Sequence, residues 1–129
     1  MSIDRDVNFD RFNKVTDEFL SQLIQTFPNV TTFSQFKTGF HVLKTFNKYQ
    51  PQSIFNTYVA VPYKDQIVEK DEQFFLNEKY DIKSDSQDYW QGFIETLRQL
   101  WKQLNSDNKD VIWQYFRVLI TLNDKCLSS

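Results

Sequence analysis

The run VIWQYFRVLITL, residues 111–122, leaves this chain few folds to choose from. Val111, Ile112, Trp113, Tyr115, Phe116, Val118, Leu119, Ile120 and Leu122 cover most sides of a helix, and a helix without a wide polar face is one that other segments surround. Just upstream, Trp90, Phe93, Ile94, Leu97, Trp101 and Leu104 recur at steps of three and four, the spacing that puts side chains on one helical face. Asp85 or Ser86 stands where an N-cap is needed. Between the two runs, Asn105-Ser106-Asp107-Asn108 is a short turn rich in cap formers. Residues 87–104 and 108–123 are therefore predicted to form an αα-hairpin, with Trp101 and Trp113 packed near its corner.

The first half reads the same way. Phe9, Phe12, Phe19, Leu20, Leu23, Ile24 and Phe27 form one helical stripe, and Pro28 stops it. Thr32 and Gln35 are spaced as a capping box opening a second helix, whose stripe is Phe33, Phe36, Phe40, Leu43 and Phe46. Gly39 sits inside that helix at a local cost near 1 kcal/mol. Pro51 closes the helix and suits the first turn of a third. Tyr58 to Val61 is readable as a short strand, but two helical pieces kinked at Val61-Pro62 are preferred, with Tyr63, Ile67 and Phe74 facing inward. Residues 77–86 lack a period and read as a loop.

With 129 residues, the chain suits one domain that needs neither disulfides nor metal to hold its core. The expectation is an all-α, single-domain bundle of about five helices over residues 1–129. The C-terminal αα-hairpin is its core, 1–7 a flexible N-terminus and 124–129 a frayed C-terminus. No apolar run approaches the roughly 18 residues that span a bilayer, so no membrane role is expected. MSIDRDVNFD has no apolar stretch of a secretory signal, and the single Cys126 suits a reducing compartment. The reading is intracellular, and on that ground the sequon Asn29-Val30-Thr31 is set aside. Phe, Asn, Lys, Ile and Tyr are abundant while Ala occurs once, a bias that fits an AT-rich genome.

The inventory for catalysis is thin. His41 is the only histidine, and Cys126 stands close to the end of the sequence, which argues against a Cys–His or Ser–His nucleophile. There is no H-E-x-x-H, and Glu69-x-x-Glu72 lacks the histidine of a bundle di-iron site. DIKSDSQD, residues 81–88, spaces carboxylates like a calcium loop but lacks its glycine and closing glutamate. Gly39 and Gly92, the only glycines, both fall in predicted helices, leaving nothing to cradle a phosphate. Carboxylate neighbours such as Asp71/Glu72 are expected by chance among 17 acidic residues. No catalytic residue, cofactor or metal is therefore assigned, and the protein is not expected to be an enzyme.

Charge supplies one candidate surface. Residues 1–64 carry 7 basic and 5 acidic side chains, 65–129 carry 8 and 12, and residues 19–64 contain no Asp or Glu. Lys37, His41, Lys44 and Lys48 fall at i, i+4, i+7 and i+11 of the second helix, a narrow strip beside the phenylalanine face. Such a strip is an ordinary solvated face, an anion or nucleic-acid contact, or a partner for acidic surface of this chain or another copy. An acidic overall balance, with a pI near 5.3, makes nucleic acid the weaker alternative.

The order LIQTFP (Leu23 to Pro28), a middle helix, DEQFFL (Asp71 to Leu76), LRQLWKQL and NKDVIWQYFRVLITL resembles small all-helical proteins encoded by nucleocytoplasmic large DNA viruses of algae and protists. Leu100-Trp101 and Ile112-Trp113 hold the places of that group's leucine–tryptophan and isoleucine–tryptophan helices, and its acidic insert is here a short loop. The resemblance implies an all-helical fold and a viral source, in host cytoplasm, nucleus or virion. It implies no catalytic residue. The function expected is a protein-interaction or structural module, engaging a protein partner or another copy, with a weak anion or nucleic-acid binder as the alternative.

Overall fold

Helix α1, Ser2–Thr26, turns Phe9, Phe12, Phe19, Leu20 and Leu23 into the interior. The computed structural model describes residues 2–77 and 90–128, with side chains from Asp6 onward. Every element among them is helical, as the apolar spacing requires. Helical winding in α1 starts at Ser2, within the segment 1–7 expected as a flexible terminus. Tyr49 Oη donates to Asp6 Oδ1 at 2.6 Å and the Tyr49 ring meets Phe9 edge-on.

Helix α2, Thr31–Phe46, follows the break at Pro28. The capping box does not form: Thr31 is already helical, Val30 is the N-cap, and no side chain caps the turn. Phe33, Phe36 and Phe40 are buried, Leu43 is half-buried, and Phe46 stands 86% exposed. Steps of three from Phe40 to Leu43 to Phe46 each fall about 60° short of a full turn, so the stripe drifts off the core side.

Helix α3, Gln50–Phe55, starts with Pro51 in its first turn and runs through a wide turn, Asn56–Ala60, into α4, Val61–Val68. In the wide turn the Val61 N–H donates to Asn56 O, five residues back. Pro62 explains this winding, since it has no N–H for the Tyr58 carbonyl and its ring would collide with that oxygen in a regular helix. The segment readable as a strand is thus helical. At the end of α4, Lys70 adopts φ 53°, and the Lys70 and Asp71 N–H groups close on Ile67 O and Gln66 O, a Schellman stop with lysine where glycine is usual.

Helix α5, Glu72–Asn77, is capped by Asp71, whose Oδ1 accepts from the Phe74 N–H at 3.0 Å. The segment 81–88 and the caps expected at Asp85 and Ser86 lie outside the described residues, as does most of the loop at 77–86. Helix α6, Gln91–Leu100, tightens into a 3-10 turn at Trp101–Gln103. Helix α7, Ser106–Leu127, then opens with Asn105 Oδ1 accepting from the Asn108 N–H at 2.8 Å. It carries through to Leu127, across the segment 124–129 expected to fray, with Cys126 buried on its inner face.

α7 packs most extensively on α1 and also meets α3 and α4. It buries Ile112, Trp113, Phe116, Leu119, Ile120 and Leu122, while Val111 and Val118 reach solvent on its outer flank. α6 joins through rings: Phe93 contacts Phe19 of α1 and both Phe33 and Phe36 of α2. The hairpin corner closes on Trp101 and Trp113, edge to face at 5.6 Å between centroids. Polar groups complete the interior. Gln52 Nε2 donates to Asn123 Oδ1 at 2.7 Å, and Asn123 Nδ2 donates to Asn56 Oδ1 at 3.0 Å. Two arginines staple the short helices down, Arg98 donating to Leu76 O and Arg117 to Val68 O, each carbonyl at or near a helix C-terminus.

Candidate functional site

Lys37, His41 and Lys44 of the basic strip lie on the flank of α2 that faces α1, whereas Lys48, expected on the same helix, falls in the turn past its end at Phe46. Aspartates of α1 meet three of the four. His41 Nε2 lies 3.0 Å from Asp17 Oδ1, and Lys37 Nζ donates to Ser21 Oγ at 2.9 Å while approaching Asp17 to 3.8 Å. Lys48 Nζ lies 3.5 Å from Asp6 and 3.7 Å from Asp10. Burial pulls the Lys48 pKa down, but the charges of Asp10 and Asp6 and a hydrogen bond to Asp6 outweigh it, leaving a net rise. Lys44 is the exception: it has no carboxylate at ion-pair distance among the described residues, and its ammonium stands 5.4 Å from the Phe40 ring centroid. The strip is therefore largely an α1–α2 charge seam. Exposed pairs of this kind contribute little energy each; burial of Phe33, Phe36 and Phe40 sets which way α2 is rotated, and the seam follows from it.

That rotation decides what α2 shows to solvent. Its exposed residues are Thr31, Ser34, Gln35, Thr38, Val42, Thr45 and Phe46, none of them charged. Ser34, Thr38 and Thr45 turn their hydroxyls back onto Thr31 O, Ser34 O and His41 O. These donors are satisfied within the helix, so covering them costs less than covering free hydroxyls. Val42 and Phe46, one turn apart, are 53% and 86% exposed. Beyond α2, the exposed side chains of α3, the wide turn and the start of α4 continue without charge: Gln50, Ser53, Thr57, Val61 and Pro62. The sequence held one half of this signal, the absence of Asp and Glu from 19–64. The other half, that the cations are drawn to α1, needed the fold.

The residues weighed for chemistry have structural partners. Asp71 caps α5, and Glu72 Oε1 lies 3.7 Å from Lys109 Nζ. The Cys126 thiol is buried, and burial pushes its pKa up to about 11, the opposite of what a nucleophile needs. No group of three or more His, Cys, Asp or Glu side chains able to hold a metal forms among the described residues. No helix among them is long and apolar enough to cross a membrane.

Among known proteins, no family model, no curated protein and no solved structure matches the chain.

Proposed function

We propose that this protein is a non-enzymatic helical module that binds another protein through the outer face of α2, with Phe46 as the anchor. The exposed Phe46, at 86%, carries the reading. It stands on a face with no charge, in a chain of which 25% is charged. Protein interfaces have central patches depleted of charge and enriched in aromatic residues, and a handful of residues in such a patch carry most of the binding energy. Single exposed apolar residues are common on monomers; it is the pairing of Phe46 with Val42 on one uncharged face that points to a partner. The seam to α1 supports the same reading, because it leaves three of the four strip residues engaged within the chain and so weakens the case for anion binding. Residence in a host cell or virion, as the viral resemblance implies, belongs to the same proposal.

The test places a photoreactive phenylalanine analogue at position 46 and, as control, at exposed position 102. The protein is then irradiated alone and in extract of its native source. One discrete adduct unique to position 46, lost when Val42→Asp is added, is the expected result. Labelling no different from position 102 sinks the proposal. Val42 is 53% exposed, so Val42→Asp should change folding stability by less than about 0.5 kcal/mol, and retained helicity and melting temperature of the doubly substituted protein show that loss of the adduct is not unfolding.

A further inference from the structure

A second feature, remote in argument from the α2 face, is an apolar slot between α4, α5, α6 and α7. Its walls include Val59, Ile67, Ile94, Leu97, Ile112 and Phe116. Its cavity volume is about 40 Å³. The apolar part of these walls lacks contacts that a fitted apolar molecule supplies.

Two further observations narrow the occupant. Trp101 forms part of the lining, is 1% exposed, and its indole N–H has no acceptor. It is the only buried side-chain donor among the described residues left in that state; the other unpaired atom, Asn13 Oδ1, is an acceptor. A buried donor without a partner is costly, and it rewards any ligand atom that accepts from it. Asp71 also lines the slot, with one oxygen engaged in capping α5, so a carboxylate already in the lining disfavours an anionic occupant. Gln66 adds a half-buried amide to the same lining.

We propose that the slot is a binding site for a small, neutral, apolar molecule bearing one carbonyl or similar acceptor, held by the Trp101 indole N–H. The indole is shielded by Phe75, whose ring meets it edge-on at 4.9 Å. Phe75 sits on α5, a six-residue helix with no fully buried side chain. Entry requires the Phe75 ring to swing aside, which exposes the N–H to the incoming acceptor, while α5 stays held by Arg98 at Leu76 O. The site does not depend on the α2 reading, and neither proposal falls with the other.

The experiment uses the unaltered protein, ¹⁵N-labelled, so no variant has to fold. The chain has 3 tryptophans, and the indole N–H resonances are followed while cyclohexanone is added, with cyclohexane and cyclohexanecarboxylate as companions. The Trp101 indole proton should move downfield and saturate at millimolar ketone. Cyclohexane should bind some three- to tenfold more weakly and leave that proton in place, and the carboxylate should bind more weakly still. Absence of saturation, or drift of all indole signals together, overturns the site. Equal binding of ketone and hydrocarbon with an unmoved Trp101 proton overturns the role given to the indole. Trp101→Phe, checked for helicity, should abolish the preference for ketone over hydrocarbon.

Discussion

Gln52 and Asn123 meet 71 residues apart in sequence, Gln52 Nε2 donating to Asn123 Oδ1 at 2.7 Å inside the bundle. Asn123 passes the contact on to Asn56, so one side chain of α7 gathers α3 and the wide turn. Leaving a buried amide unpaired costs about 1–3 kcal/mol per group. Asn123→Leu should therefore destabilise by roughly 2–4 kcal/mol in urea unfolding. The double variant with Gln52→Leu should recover part of that loss, because a polar pair replaced together by apolar groups is far less costly than one broken.

The corner formed by Trp101 and Trp113 gives a second expectation. Both indoles are buried, and Phe75 also touches each of them. Trp113→Ala removes a large ring from a packed site and should cost about 3–5 kcal/mol. The intact protein should show blue-shifted tryptophan emission protected from acrylamide. Emission near that of free indole would contradict the packing described.

Two backbone positions have each other's residue, and exchanging them should stabilise the chain. Gly92 is helical and exposed, with nothing within 4 Å of where a Cβ would stand. Lys70, by contrast, holds a left-handed φ of 53°. Gly92→Ala and Lys70→Gly should each raise stability by about 0.5–1 kcal/mol. Thermal melts of the single and double variants check this, and the gains should add because the sites share no partner.

Cys126 sets a pH dependence at the alkaline end. Burial raises the folded thiol from 9.0 to about 11, so below pH 9 both folded and unfolded chains keep the proton and no stability is lost. Between pH 9 and 11 the unfolded thiol ionises first, and stability falls as pH rises. The loss should reach roughly 1–2 kcal/mol by pH 11, and Cys126→Ala should lack that component. At neutral pH the thiol should react slowly with iodoacetamide until the protein is unfolded.

Periodicity made the helices legible because large apolar side chains occupy most inward positions. It failed where polar residues took those positions. Asn13 and Thr16 fill the gap between Phe12 and Phe19 at helical spacing and are buried. Asn123 likewise falls between Ile120 and Cys126 on the inner face of α7. The gaps in the stripes were visible, but their occupants read as polar and therefore as outward. Phe46 failed in the opposite sense, since its chemistry matched the stripe while its angle did not. For the strip, the spacing of Lys37, His41, Lys44 and Lys48 was legible, whereas Asp6, Asp10 and Asp17 are brought to it only by the antiparallel run of α1.

The wide turn at Asn56–Ala60 holds one residue more than an ordinary helical turn, and Pro62 is the reason it persists. Everything from Val61 to Asp71 is thereby phased about 100° away from where uninterrupted winding would carry it. A related chain without a proline at this point must omit one residue here to keep the counterparts of Val59 and Ile67 on the same wall. Alignments scored on residue similarity alone will misplace that gap and shift the slot-lining positions by one.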